Sequence, residues 1–135
     1  MNKVVNAIVF HPKEKNKFLV VKRKQGELHG NKWAFPGGNV KTYETEEQAL
    51  KREIFEETGI TIKEIKQKIS EYDYKREGKK VHGICFLAIT EDSIVKPSKE
   101  IQDIRWVTLE ELEFLDCIPG IEEEAYIALN YKSIY

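Results

Sequence analysis

The chain has 135 residues, enough for one domain that buries its own apolar core without disulfides or a structural metal. Its 22 Lys and Arg nearly balance 23 Asp and Glu, leaving a net charge of −1, with 41% hydrophobic and 33% charged residues. Such a balance argues against a polybasic nucleic-acid binder and an acidic tail, so an anionic ligand has to be held by local charge or by metal.

Residues 4–10 are rich in β-branched side chains and end at His11-Pro12, which predicts a strand followed by a turn. Residues 17–23 read as a second strand and a hairpin partner of the first, and 25–32 as a loop. Trp33-Ala34-Phe35 is a short apolar piece that stops where Pro36-Gly37-Gly38 must turn. Thr45 opens the clearest helix, with a Thr-x-x-Gln capping box to Gln48 and Gly59 as its stop. Two long strands, 60–74 and 80–90, flank a turn at Arg76-Glu77-Gly78. A short strand at 104–107 leads into a second capping box, Thr108 with Glu111, and a short helix. Pro119-Gly120 then precedes a last helix over 121–131. The order β-β-β-α-β-β-β-α-α predicts an α+β domain with helices flanking a mixed sheet. Cys85 and Cys117 stand in no metal or redox spacing and read as reduced thiols. The chain start lacks a leader's pattern and no apolar run is long enough for a membrane span, so the expected compartment is cytoplasmic.

Chemistry concentrates on the helix after Thr45. Residues three and four apart share a face there, so Ala49, Arg52, Glu53, Glu56 and Glu57 form one stripe. Leu50, Ile54 and Phe55 lie round the other side, where they can bury. Crowded carboxylates repel by a few tenths of a kcal/mol each, and the helix dipole disfavours negative charge toward the C-terminal end. Arg52 can relieve part of this by pairing with Glu56. On this view, removing one carboxylate charge, as in Glu57→Gln, stabilises the metal-free protein slightly. Clustered oxygen donors are also what a hard cation such as Mg²⁺ requires.

Gly38, five residues, Glu44, seven residues, then Arg52-Glu53-Ile54-Phe55-Glu56-Glu57-Thr58-Gly59-Ile60 resembles the Nudix box at every defined position. Trp33 to Gly38 resembles that family's lead-in strand and glycine turn. Arg105-Trp106-Val107-Thr108-Leu109-Glu110-Glu111-Leu112 resembles its late strand-to-helix segment. The resemblance implies a single Nudix hydrolase domain over 1–135, an α/β/α sandwich about a mixed sheet. It implies one to three Mg²⁺ or Mn²⁺ ions held by Glu53, Glu56, Glu57 and the carbonyl of Gly37, with loop residue Glu100 matching a further ligand in MutT-like members. Arg52 would orient the glutamates, with Glu44, Gly38 and Gly59 completing the motif. A metal-activated water would attack one phosphorus, Glu53 ranking ahead of Glu100 as the base.

Arg23 matches a phosphate-contacting arginine of the MutT branch, a role that suits its planar fork of donors. Tyr72, Tyr74 and Phe86 could stack a base but read first as packing, and the three histidines show no ligand spacing. The string Asn31-Lys32-x-x-Phe35-Pro36-Gly37-Gly38 favours the nucleoside-triphosphate group, releasing nucleoside monophosphate and diphosphate. Residues 117–121 read Cys-Ile-Pro-Gly-Ile and lack the amide that reads oxidised guanine in its specialists. ADP-ribose or dinucleoside polyphosphate hydrolysis is the alternative, and a non-catalytic nucleotide sensor ranks below both, because the box is intact. The expected partner is a small nucleotide, with no membrane and no specific nucleic acid, on a monomer or homodimer.

Overall fold

The first strand is apolar on both faces because both faces are covered. In the computed structural model of the chain, which describes residues 2–26 and 30–133, β1 (Asn2–Phe10) runs through the middle of the sheet. Val5, Ala7 and Val9 point into one core with Leu50 and Ile54, whereas Ile8 and Phe10 point into another with Ile121, Ala125 and Ala128. The remaining strands are β2 (Phe18–Arg23), β3 (Trp33–Ala34), β4 (Gly37–Asn39), β5 (Ile62–Arg76), β6 (Lys79–Thr90) and β7 (Ile101–Val107). Helix α1 (Glu46–Thr58) belongs to the first core and α2 (Ile121–Lys132) to the second, which makes the three-layer sandwich expected from the resemblance.

Pairing departs from the sequence expectation in the centre of the sheet. β1 meets β2 at a single register pair, Phe10↔Phe18, and takes β6 as a long parallel neighbour from Asn2↔Val81 to Phe10↔Ile89. On its other edge β1 pairs with β4 through Val4↔Asn39, Val5↔Gly38 and Asn6↔Gly37. The glycine turn is thus itself a strand, which a Pro-Gly-Gly string does not signal, because pairing needs only its backbone. β2 meanwhile pairs with β3 and with β7. The sheet therefore forks. The chain crosses from one prong to the other at Phe35-Pro36, and the ends of β2 and β4 face each other across the gap.

Other elements hold with shifted ends. Strand β7 starts earlier than expected, and residues 110–114 form a 3₁₀ turn in place of an α-helix. The Thr108–Glu111 bonds of the second capping box still form, with Glu111 N–H donating to Thr108 Oγ1 at 3.3 Å and Thr108 N–H to Glu111 Oε1 at 3.1 Å. Residues 27–29 of the expected loop lie outside the described residues. The β5–β6 hairpin turns at Glu77 and Gly78, both at positive φ. Strand β5 ends the sheet and is largely exposed, with Lys63, Lys66, Lys68 and Lys75 along it and three interruptions in its pairing with β6. Both cysteines are free. Among the described residues, no helix is long and apolar enough to cross a membrane.

Both ends of α1 are set by its own sequence. Thr45 accepts from Gln48 N–H while Gln48 Oε1 accepts from Thr45 N–H, at 3.1 and 2.9 Å, which completes the box. Gly59 closes the helix at φ 77°, with its N–H on the Phe55 carbonyl. A Cβ there would meet Lys96 at an ordinary 3.5 Å, so a substitution costs backbone strain and not space. Gly59→Ala is expected to destabilise the protein by about 1–2 kcal/mol, read from the urea midpoint. An unchanged midpoint would mean that the helix end relaxes out of the left-handed conformation.

Candidate active site

Helical spacing puts Glu57 where a core residue belongs. Leu50, Ile54 and Glu57 follow the i, i+4, i+7 pattern of a buried face, and Glu57 is only 4% exposed. Phe55, expected to bury, is instead 57% exposed, because it sits on the far side of the helix from that face. An unpaired carboxylate in such a place would be costly. Two bonds to its oxygens meet the cost, and a third ties the arginine to β4. Arg23, at the end of β2, donates from Nη1 to Glu57 Oε2 at 2.5 Å, and from Nη2 to the Gly37 carbonyl at 3.3 Å. Gly37 N–H donates to Glu57 Oε1 at 2.9 Å.

A second arginine organises the outer carboxylates. Arg52 grips Glu44 with two bonds, from Nη2 at 2.5 Å and Nε at 3.0 Å, and it donates from Nη1 to Glu53 at 2.9 Å and Glu56 at 3.3 Å. Its Nη2 also reaches the Asn39 carbonyl at 3.0 Å, tying α1 to β4. Glu44 accepts further from Lys41 N–H at 2.9 Å. The Arg52–Glu56 pairing read from helical spacing is present, but the bidentate grip on Glu44 is tighter. The hydrogen bonds from Arg52 hold the Glu44 carboxyl down at about 2, and the same pairing pushes Arg52 further up.

Two glycines let these groups approach. A Cβ on Gly37 would fall against the Val5 carbonyl and 2.5 Å from Asn6 Cα. On Gly38 it would fall into the Glu53 carboxylate, 2.8 Å from Oε1. Glu53 therefore lies flat over the Gly38 backbone. Burial raises both Glu53 and Glu57 above the ordinary carboxylate range; Arg52 opposes this at Glu53, and Arg23 with the Gly37 N–H opposes it at Glu57. With a cation beside each acid, the crowding inferred from the helical wheel is largely relieved. The expected stabilisation by Glu57→Gln loses its basis, since that change would remove the counter-charge of Arg23 and one of the two acceptor oxygens that Arg23 and Gly37 share.

Glu53, Glu57 and the Gly37 carbonyl are hard oxygen donors placed about one glycine turn, and that chemistry fits Mg²⁺ or Mn²⁺. The guanidinium between Glu57 and Gly37 shows that these two oxygens accept a shared cation. Among the described residues, no three acidic, histidine or cysteine side chains converge closely enough to hold an ion as they stand. Glu56 points outward, with its side chain 57% exposed. Glu100 is brought near Arg23 by its backbone, whose carbonyl accepts from Lys24 N–H at 3.1 Å, while its exposed carboxylate makes no hydrogen bond or ion pair among the described residues.

Away from this cluster, Phe86 is buried in the α1-side core. Tyr72 lies over Gly83 and beside Tyr74, with ring centroids 5.7 Å apart. His11 caps its own turn and packs on Trp106, and His82 sits between Asp73 and Glu71. Helical spacing already carried the missed signal, a glutamate three residues after Ile54 on the buried face. Its partner Arg23 lies 34 positions away, beyond any local pattern.

A three-layer fold that sets glutamates and two arginines at a glycine turn suits chemistry on cation-bound phosphates. The NUDIX domain model matches residues 2–128, so the chain belongs to the Nudix family and is a hydrolase acting on nucleoside diphosphate derivatives. It is 30% identical over 115 residues to the 8-oxo-dGTP diphosphatase of Buchnera aphidicola subsp. Schizaphis graminum, covering 84% of this chain and 85% of that protein. Identity to the ADP-ribose pyrophosphatase of Methanocaldococcus jannaschii is 39% over 74 residues, 55% of this chain and 43% of that one. The chain spans only 23% of an Arabidopsis thaliana mRNA-decapping enzyme subunit 2, to which it is 28% identical over 86 residues, 62% of its own length. The crystal structure of a MutT protein from Methanosarcina mazei superposes with a TM-score of 0.80 at 26% identity, covering 99% of this chain and 96% of that one.

The Arg52–Glu44 grip predicts a specific acid response. Glu44 falls from an ordinary 4.5 to about 2 on folding, so its contribution to stability is complete above pH 4.5 and is lost as pH falls toward 2. Glu53 and Glu57, raised by burial, act in the opposite sense and favour the folded state as they protonate. Glu44→Gln should therefore lower the melting temperature at pH 7 and flatten its decline between pH 4.5 and 2. Parallel melting curves for the two proteins over that window would rule the pairing out as a source of stability.

Proposed function

We propose that this chain is a nucleoside triphosphate pyrophosphohydrolase that releases nucleoside monophosphate and diphosphate, with Mg²⁺ or Mn²⁺ held by Glu53, Glu56, Glu57 and the Gly37 carbonyl. The observation that carries this reading is the pair of carboxylates, part-buried Glu53 and buried Glu57, set against Gly37 and Gly38 by two arginines. Bound metal supplies positive charge for the phosphate oxygens and lowers the pKa of a coordinated water. Arg23 supports the polyphosphate with its planar fork. Arg52 fixes the direction of Glu53, and Glu44 fixes Arg52.

Glu53 is our choice of proton acceptor, ahead of Glu100. Arg52 donates to Glu53 Oε1 and fixes the direction of the carboxylate, which is what a positioned proton acceptor needs. Glu100 remains the second choice, as the acid carried on the segment beside Arg23. Similarity to proteins named for 8-oxo-dGTP and for ADP-ribose leaves both substrate classes in the test. Ile121 is buried in the α2-side core, and residues 117–121, Cys-Ile-Pro-Gly-Ile, offer no amide side chain to read a base edge, which favours acceptance of several triphosphates with modest discrimination.

Rates with Mg²⁺ on the common dNTPs, 8-oxo-dGTP, ADP-ribose, a dinucleoside polyphosphate and capped RNA test this directly. Several triphosphates should be cleaved with base preferences of about tenfold or less. Glu53→Gln and Glu57→Gln should each lower kcat by about 10²-fold or more, with circular dichroism unchanged. A thousandfold preference for 8-oxo-dGTP, or ADP-ribose as the sole substrate, would replace the proposed substrate class. Retention of half the rate by both variants would move the chemistry elsewhere.

A further inference from the structure

Two of the oxygens assigned above to the metal are already engaged by one cation. Arg23 bridges Glu57 Oε2 and the Gly37 carbonyl, and Gly37 N–H occupies the other oxygen of Glu57. The bridge is sheltered, with side-chain exposures of 22% for Arg23 and 5% for Glu57, so little solvent reaches the carboxylate. Glu57 sits at a core position and needs a cation whether or not metal is bound.

We propose that Arg23 is a stand-in cation that holds Glu57 and the Gly37 carbonyl until a divalent ion takes them, and that the freed guanidinium then engages the substrate's phosphates. This rests on the reading of Glu57 and Gly37 as metal ligands. A guanidinium and a divalent ion on the same two oxygens repel each other and crowd the same carboxylate and carbonyl, so each weakens the other's hold. The place of Arg23 suits a side chain that has to leave. It is the last residue of β2, at a break in the β2–β7 register between Lys22 and Arg23, so the long side chain can swing without shifting the strand. Once released, its fork matches two oxygens of a phosphate as well as it matches a carboxylate. Metal binding and phosphate recognition are then coupled in a fixed order, metal first.

Competition between Arg23 and metal gives a signature that neither a simple phosphate contact nor a structural ion pair produces. Removing Arg23 should tighten metal binding while weakening nucleotide binding. The test titrates Mn²⁺ into the full chain without nucleotide, by calorimetry and by the loss of free-ion paramagnetic resonance signal, for wild type, Arg23→Ala and Arg23→Lys. Arg23→Ala should bind Mn²⁺ about tenfold more tightly, within the usual range of coupling between sites. Arg23→Lys should fall between, because an ammonium can meet Glu57 but cannot bridge it to Gly37 in the same way. In EDTA, Arg23→Ala should melt below wild type and should gain more from added Mn²⁺. Equal or weaker Mn²⁺ affinity in a folded Arg23→Ala overturns the proposal and leaves the metal site standing. If Arg23→Ala does not fold, the same comparison on Arg23→Lys decides. Failure of wild type itself to bind millimolar Mn²⁺ overturns both the proposal and the reading of the site.

Discussion

A carboxylate at a core position governs how this structure is assembled. Taking an ionised glutamate out of water costs several kcal/mol, and nothing on α1 itself offsets that for Glu57. Relief comes from Arg23 on β2 and from Gly37 on β4, two elements that do not pair with each other. Seating the buried face of the helix therefore draws on both strand ends. Packing of α1 and assembly of the site are coupled. Local changes at the β2 end should be felt in the packing of α1 as well as in the chemistry.

The fork in the sheet makes that coupling geometrically possible. A continuous sheet would fill the space between β2 and β4 with backbone hydrogen bonds and side chains. Crossing at Phe35-Pro36 opens a notch instead, lined by strand ends, and helix α1 lies across it. Gly37 and Gly38 let the notch be narrow, since each would collide if it carried a Cβ, one with β1 and the other with Glu53. Arg52 closes the outer side by linking helix, loop and β4. Its five bonds leave the guanidinium little freedom, which suits a positioning residue. Arg23, with two partners, retains the capacity to change them.

What was legible in the sequence is what local physics decides. The capped helix followed from Thr45, Gln48 and Gly59, whose roles need only neighbours in the chain, and the hairpin turn followed from Glu77-Gly78. The spaced motif named the family and pointed to the glutamates and Arg52. Long-range pairing was less accessible. Nothing within β1 says that β6 will lie parallel to it, because both strands carry long, largely apolar runs, residues 4–10 and 83–89, that would fit several neighbours. Strand β4 was hidden because its glycines carry turn propensity while its pairing uses only the main chain. Glu57 was read as one of a row of equivalent surface acids, although its spacing from Leu50 and Ile54 already placed it on the buried face. Its distinct role depends on a strand arginine whose proximity exists only after folding.

The exposed outer strand has a consequence for how the molecule behaves in company. β5 is fifteen residues long and, among the described residues, has a neighbouring strand on one side only, β6, and an edge strand is the usual template for sheet growth between molecules. Its three register breaks bend and twist that edge, and the strand carries charges of both signs, Lys63, Lys66, Lys68, Lys75 and Arg76 with Glu64, Glu71 and Asp73, which a second copy would have to desolvate. Strand addition by a second copy would have to straighten those breaks and bury those charges. Concentrated solutions of the folded protein should resist the fibrous, edge-to-edge association that a bare strand of this length invites.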